Sequence, residues 1–224
     1  INKMDKGINK MHEPEDFYKQ CDKIINEVNF IISEFVSEEE YKLDPSLGNV
    51  AFGSGYFGWA FTIKDMAKIY AEKFNTEESY LTQRLWGDYF YDGKKFTSKF
   101  DSIDPEKDRA FNKFIITPLI RLQESIMNKN YETTKKILKK INVEVKESDW
   151  EKTEEDLLKI ILRKWINAAE SIRTMCVKHL PSPKEAQKYR TGVLFKGKKS
   201  SERKESSEEE NEMFDNYEED KNVE

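Results

Sequence analysis

Between positions 49 and 55 the chain reads Asn-Val-Ala-Phe-Gly-Ser-Gly, a short apolar run that fits a buried strand and passes directly into two glycines. Small residues past a strand end let main-chain N–H groups approach a ligand closely, and open α/β sheets place ligands at the carboxyl ends of their strands. Upstream, Phe17, Cys21, Ile24, Val28, Ile32 and Phe35 recur at spacings of three and four behind Pro14, the pattern of an amphipathic helix packed on a sheet. A turn-rich stretch around Asp44-Pro45-Ser46 separates the two.

From Ile63 the pattern changes to helices with one hairpin. Ile63, Met66, Tyr70 and Phe74 form one apolar stripe, and Phe111, Ile115, Leu119, Leu122 and Ile126 another, in which Pro118 predicts a kink or restart. Between them Asp92-Gly93 is flanked by strand formers, Tyr89-Phe90-Tyr91 and Phe96, a β-hairpin signal. Further helices are predicted over 131–141 and 155–166, joined by a strand at Val143 to Val145, and a last helix through Ile172, Met175, Cys176 and His179 returns to the core before Pro181. The aromatic and methionine stripes are assigned to packing.

The chemistry-bearing residues lie in two separated segments. Guanine presents two neighbouring donors beside a carbonyl oxygen, so a reader needs one carboxylate and one N–H donor. In Asn2-Lys3-Met4-Asp5 the Asp5 carboxylate can accept both donors in a charge-assisted pair. The backbone around Ser54 and Gly55 can donate to the carbonyl, Lys3 can lay its apolar stem over the base, and Asn2 can tie the two loops by side-chain-to-backbone hydrogen bonds.

Other chemistries fit poorly. Ser54 is no nucleophile-elbow serine, because Phe52 stands where Gly-x-Ser-x-Gly needs glycine. His12 and His179 lie in unrelated segments, and with Cys21 and Cys176 far apart they make no metal-ligand spacing and no disulfide framework, which points to a reducing cytosol. No apolar run approaches the roughly 20 residues that span a bilayer. Charged residues make up 36% of the chain, and residues 198–224 carry five basic and eleven acidic side chains, so the first 197 residues are nearly neutral. That acidic tail has too little apolar surface to offset its ordering entropy and is expected to be disordered. The lysines at 135, 136, 139 and 140 read as the solvated face of a helix, with contact to ribosomal RNA or an acidic partner as the alternative.

Four motifs, taken together, resemble the eukaryotic and archaeal translation elongation factor 2 family: Asn49 to Thr62 with its Gly-Trp-Ala-Phe-Thr end, Arg84-Leu85-Trp86-Gly87-Asp88, His179-Leu180-Pro181-Ser182-Pro183, and Ala186-Gln187-Lys188-Tyr189-Arg190. The resemblance covers about the first 197 residues, through Val193-Leu194-Phe195-Lys196-Gly197. It departs at Tyr56-Phe57, where the family commonly has Leu-His, and at Lys6, where it often has Arg. The resemblance implies an α/β fold: the C-terminal part of a P-loop GTPase domain over 1–61, an inserted, mostly helical α+β subdomain over 62–166, and the final GTPase helix with the approach to a second domain over 167–197, followed by the tail. It implies a cytoplasmic ribosomal translocation GTPase. Asn2, Lys3, Met4, Asp5, Ser54, Gly55 and Tyr56 would hold the guanine end of GTP, with magnesium belonging to the parent protein and not to these residues. Ribosome and acidic stalk proteins are the implied partners, with no membrane and no DNA.

Because the phosphate loop and switch segments are missing and only Ile1 precedes Asn2, the chain reads as a piece of a larger enzyme, with no catalytic residue of its own. Two alternatives stand beside this. Pro45-Ser46-Leu47-Gly48-Asn49-Val50 and Met175-Cys176-Val177 resemble the spliceosomal GTPase related to this family, and a non-enzymatic module docking the ribosomal stalk is the other.

Overall fold

A computed structural model describes residues 1–10, 13–35, 41–98 and 108–194. The tail, His12 and the 195–197 stretch lie outside the described residues. The chain divides into two compact units, Ile1–His179 and Leu180–Glu224.

In the first unit α1 (Met4–Lys10) and α2 (Pro14–Phe35) precede a two-stranded sheet of β1 (Ala51–Ser54) and β2 (Trp59–Thr62). These strands pair antiparallel, with Phe52 opposite Phe61 and Gly53 opposite Ala60. Gly53 is required there: a Cβ would stand 2.4 Å from the Trp59 carbonyl oxygen. On the other edge of β1, the Ile1 amino group donates to Ala51 O and the Gly53 N–H to Ile1 O, partners two residues apart as in a parallel pair. The Ala60 N–H donates to Ile166 O, and the Ser171 hydroxyl to Ala60 O, so the outer edge of β2 is also covered.

β2 runs straight into α3 (Ile63–Phe74), because Thr62 and Asp65 form a reciprocal capping box. There follow α4 (Glu78–Thr82), then β3 (Tyr89–Tyr91), β4 (Phe96–Ser98) and β5 (Asp108–Arg109), a three-stranded antiparallel sheet with β3 central. The predicted hairpin is β3–β4, and the Asp92 carboxylate closes its turn by accepting the N–H groups of Lys94 and Lys95. A π-helical turn at Asn112–Ile116 leads into α5 (Thr117–Met127). Pro118 lacks an N–H to offer the Phe114 carbonyl four residues back, and that carbonyl instead accepts the Tyr70 hydroxyl at 2.6 Å. α6 (Tyr131–Ile141), α7 (Glu154–Trp165) and α8 (Ala168–His179) complete the unit. In the second unit α9 (Pro183–Leu194) starts with Ser182 and Glu185 bonded reciprocally.

The chain is thus mixed α and β, mostly helical, with small antiparallel sheets. Three expectations need correction. Val143 to Val145 is not a strand: both valines pack on the core, but among the described residues no strand lies beside them. The α2 stripe is buried only at Phe17 and Cys21, joined by Tyr18 and Ile25; Ile24 and Ile32 are half-buried, while Val28 and Phe35 are exposed. The α8 stripe does not return to the core either: α8 buries Ser171 against β2, leaves Met175 and Cys176 half-buried, and exposes Ile172 and His179. Between these two helices runs an open apolar groove bordered by Ile24, Val28, Ile172 and Met175.

The core is aromatic at its centre. Phe52 touches Phe61, Trp86 and Phe111, and Tyr18 packs on Trp86 and Phe111. Burial pushes the Cys21 thiol and the Tyr70 phenol each up to about 12, and the Tyr18 phenol higher still. Below about pH 9, the ordinary thiol value, folded and unfolded chains both keep these protons and the stabilisation is fully present. Above it the unfolded chain ionises first. Stability is therefore expected to fall by roughly 1.4 kcal/mol per pH unit for each group so affected, until the folded values are reached. Urea titrations at pH 8, 9.5 and 10.5 check this, and a flat profile would show that these groups are solvated.

Candidate functional site

Residues 55–58 form the turn between β1 and β2, and most of its N–H groups are committed. Gly55 donates to Asn2 Oδ1 at 2.9 Å, Phe57 to Ser54 Oγ at 3.3 Å, and Gly58 to Ser54 O at 2.8 Å. Among the described residues Tyr56 is left as the turn residue whose N–H has no acceptor.

Asn2 Oδ1 also accepts the Lys3 N–H at 2.7 Å. Both partners are donors, so the atom facing them is the amide oxygen. One side-chain atom thereby joins segments 53 positions apart. Lys3 takes φ 64, a left-handed conformation that few non-glycine residues adopt, and its carbonyl accepts from Lys6 and Gly7 to start α1. Asp5 stands in the first turn of that helix.

The two segments border one cleft of about 650 Å³. Of the sequence-predicted residues, Asn2, Lys3, Asp5, Gly55 and Tyr56 line it. Met4 and Ser54 do not. Met4 is 2% exposed and belongs to the core, while Ser54 is 1% exposed and holds the turn together through its hydroxyl and carbonyl. The available main-chain donor is consequently that of Tyr56 rather than the expected one at Ser54 or Gly55.

The lining also includes residues that the sequence did not single out: Asn9 and Gln123, which share a hydrogen bond, with Met127 and Glu155. Glu155 Oε1 accepts the Tyr56 hydroxyl at 2.6 Å and lies 3.1 Å from Lys159 Nζ. The Tyr56 hydroxyl, followed by Lys159, holds the Glu155 carboxyl below its ordinary range, and the bond to Glu155 raises the Lys159 ammonium in turn. No local pattern could have signalled these contacts, since Tyr56 and Glu155 are 99 positions apart.

The cleft thus gathers a carboxylate, a lysine and an aromatic residue whose own N–H is uncommitted among the described residues. Among the described residues no group of three or more His, Cys, Asp or Glu gathers to hold a metal, and no helix is long and apolar enough to cross a membrane. The Arg84 to Asp88 motif serves packing instead: Leu85 is buried, Trp86 joins the aromatic core, and the Gly87 carbonyl and Asp88 carboxylate receive Arg109. No protein-family model matches the chain.

Proposed function

We propose that this chain reads the guanine end of a nucleotide as part of a cytoplasmic, ribosome-translocating GTPase of the elongation factor 2 kind. The observation that carries the reading is the Asn2 Oδ1 bond to the Gly55 N–H, which joins the two segments whose residues Asp5 and Tyr56 line one cleft. Asp5 would accept the ring N–H and exocyclic amine of guanine, Tyr56 N–H would donate to its carbonyl oxygen, and the Lys3 stem would cover one face. The likeness of the four motifs supports the parent process, GTP hydrolysis during protein synthesis. In that reading the groove bordered by Val28 and Ile172 receives the remaining strands of the nucleotide-binding domain, and the exposed lysines of α6 face the ribosome and its acidic stalk proteins.

The sequence contains no Gly-x-x-x-x-Gly-Lys-Ser or -Thr phosphate loop, so binding by this chain rests on the base edge and its stacking. Affinity for GTP should be weak, and submicromolar binding in calorimetry would contradict the reading. The sharper test is Asp5→Asn. Asparagine offers one acceptor and one donor, which mismatches the paired donors of guanine but matches the N–H and carbonyl that xanthine presents there. In amide NMR titrations the wild-type chain should prefer guanosine over adenosine, with shifts at Lys3, Gly55 and Tyr56. The variant should lose about tenfold or more for guanosine, as expected for a charge-assisted bond worth about 1.5–3 kcal/mol, and turn toward xanthosine. Equal wild-type responses to guanosine and adenosine, or an indifferent Asp5→Asn, would sink the assignment.

A further inference from the structure

One wall of the cleft belongs to neither purine-facing segment. Helix α7 grips the turn at three successive positions spaced by four, which puts them on one helical face. The Glu155 carboxylate holds the Tyr56 hydroxyl at 2.6 Å. Lys159 Nζ lies 4.3 Å from the centre of the Tyr56 ring and 5.7 Å from that of Phe57. Arg163 Nε donates to the Phe57 carbonyl at 3.0 Å. The last contact reaches the backbone itself, and at Gly58, which takes φ +72, a Cβ would stand 2.5 Å from Arg163 Nε.

Exposed charges on a helix face are ordinarily solvated and contribute little. Here, however, all three side chains land on the same turn. The Tyr56 N–H, free among the described residues, belongs to the residue whose hydroxyl and ring are held by Glu155 and Lys159, and that residue directly precedes Phe57, whose carbonyl is held by Arg163. We infer that Glu155, Lys159 and Arg163 are positioning residues that set purine selectivity by holding the Tyr56 N–H where the base's carbonyl oxygen arrives. This rests on the reading of the cleft as a guanine site. Guanine carries a carbonyl at the position where adenine carries an amine, and a hydrogen bond weakens steeply once donor distance and angle drift. Loosening the turn therefore removes a bond that guanosine makes and adenosine does not.

The test uses the full 224-residue chain. The variant Glu155→Gln/Lys159→Met/Arg163→Met is compared with wild type by circular dichroism, by amide hydrogen exchange over residues 55–58 without ligand, and by NMR titration with guanosine and with adenosine. Arg163→Met alone is read the same way should the triple variant not fold, and Lys159→Arg serves as the conservative control. The variant should keep its helical spectrum, exchange faster across the turn, and bind guanosine about three- to tenfold more weakly, as for one lost hydrogen bond, with adenosine unchanged. Lys159→Arg should behave as wild type. Unchanged exchange, or an unchanged guanosine-to-adenosine ratio on a guanosine-selective wild type, overturns the positioning role. A wild-type chain without guanosine preference overturns the cleft assignment and with it the selectivity, while the exchange data still report whether α7 holds the turn.

Discussion

Replacing Phe52 by alanine should destabilise the chain by about 3–5 kcal/mol, the range for truncating a fully buried phenylalanine in a packed core. The ring is completely buried, with Phe61, Trp86 and Phe111 at centroid distances of 5.6, 5.3 and 5.5 Å. These neighbours belong to the partner strand, the 84–88 segment and the helix leading into α5, so no single element can move to fill the space. Phe52→Leu keeps most of the volume and should cost about 1.5 kcal/mol or less. Urea unfolding of both variants gives the comparison, and a loss under about 1.5 kcal/mol for the alanine variant would show that the aromatic cluster collapses freely. Because β1 ends in the turn that forms the cleft, the same change should also weaken any guanosine response.

The second large effect is expected at Arg109. Its side chain is 9% exposed, and the guanidinium bonds Glu15 through Nε and Nη2, the Gly87 carbonyl at 2.6 Å and Asp88 at 3.0 Å, while lying 4.0 Å from the Tyr18 ring centre. Asn112 donates to the same Glu15 carboxylate. Arg109→Met keeps the apolar stem and deletes every one of these bonds. Breaking a buried pair costs about 3–5 kcal/mol, but Glu15 and Asp88 are 38% and 52% exposed and water takes up part of the loss, so about 2–3 kcal/mol is expected. Glu15→Gln, which leaves the guanidinium its other acceptors, should cost less. If Arg109→Met were as stable as wild type in urea, the Arg109 bonds would contribute nothing measurable and α2 would be held to the 84–112 region by its apolar contacts and the Asn112 bond to Glu15.

Much of the local structure was legible because it is set by near neighbours. Asp92-Gly93 between strand formers yields the β3–β4 hairpin, and Pro118 changes the course of its helix because it lacks a donor. The capping pair Thr62 and Asp65, three positions apart, was equally readable and was overlooked. Periodicity failed where burial was in question. The α2 stripe from Phe17 to Phe35 is continuous in the sequence, yet beyond Ile25 it is half-buried or exposed. A helical period shows which face is apolar, not whether another element covers it. Val143 to Val145 shows the same limit for strands, since alternation makes no ladder where, among the described residues, no strand lies alongside.

For the cleft, chemical type was in the residues themselves: a short carboxylate at Asp5, an amide at Asn2 able to accept two donors, and small residues after β1 follow from the text of the chain. Which N–H remained available was decided by folding, because the commitments of Gly55, Phe57 and Gly58 depend on where Asn2 and Ser54 come to lie. So was the wall supplied by Gln123, Met127 and Glu155. Hydrogen bonds act over about 3 Å, and sequence separation carries no information on distances of that order once the chain has turned back on itself.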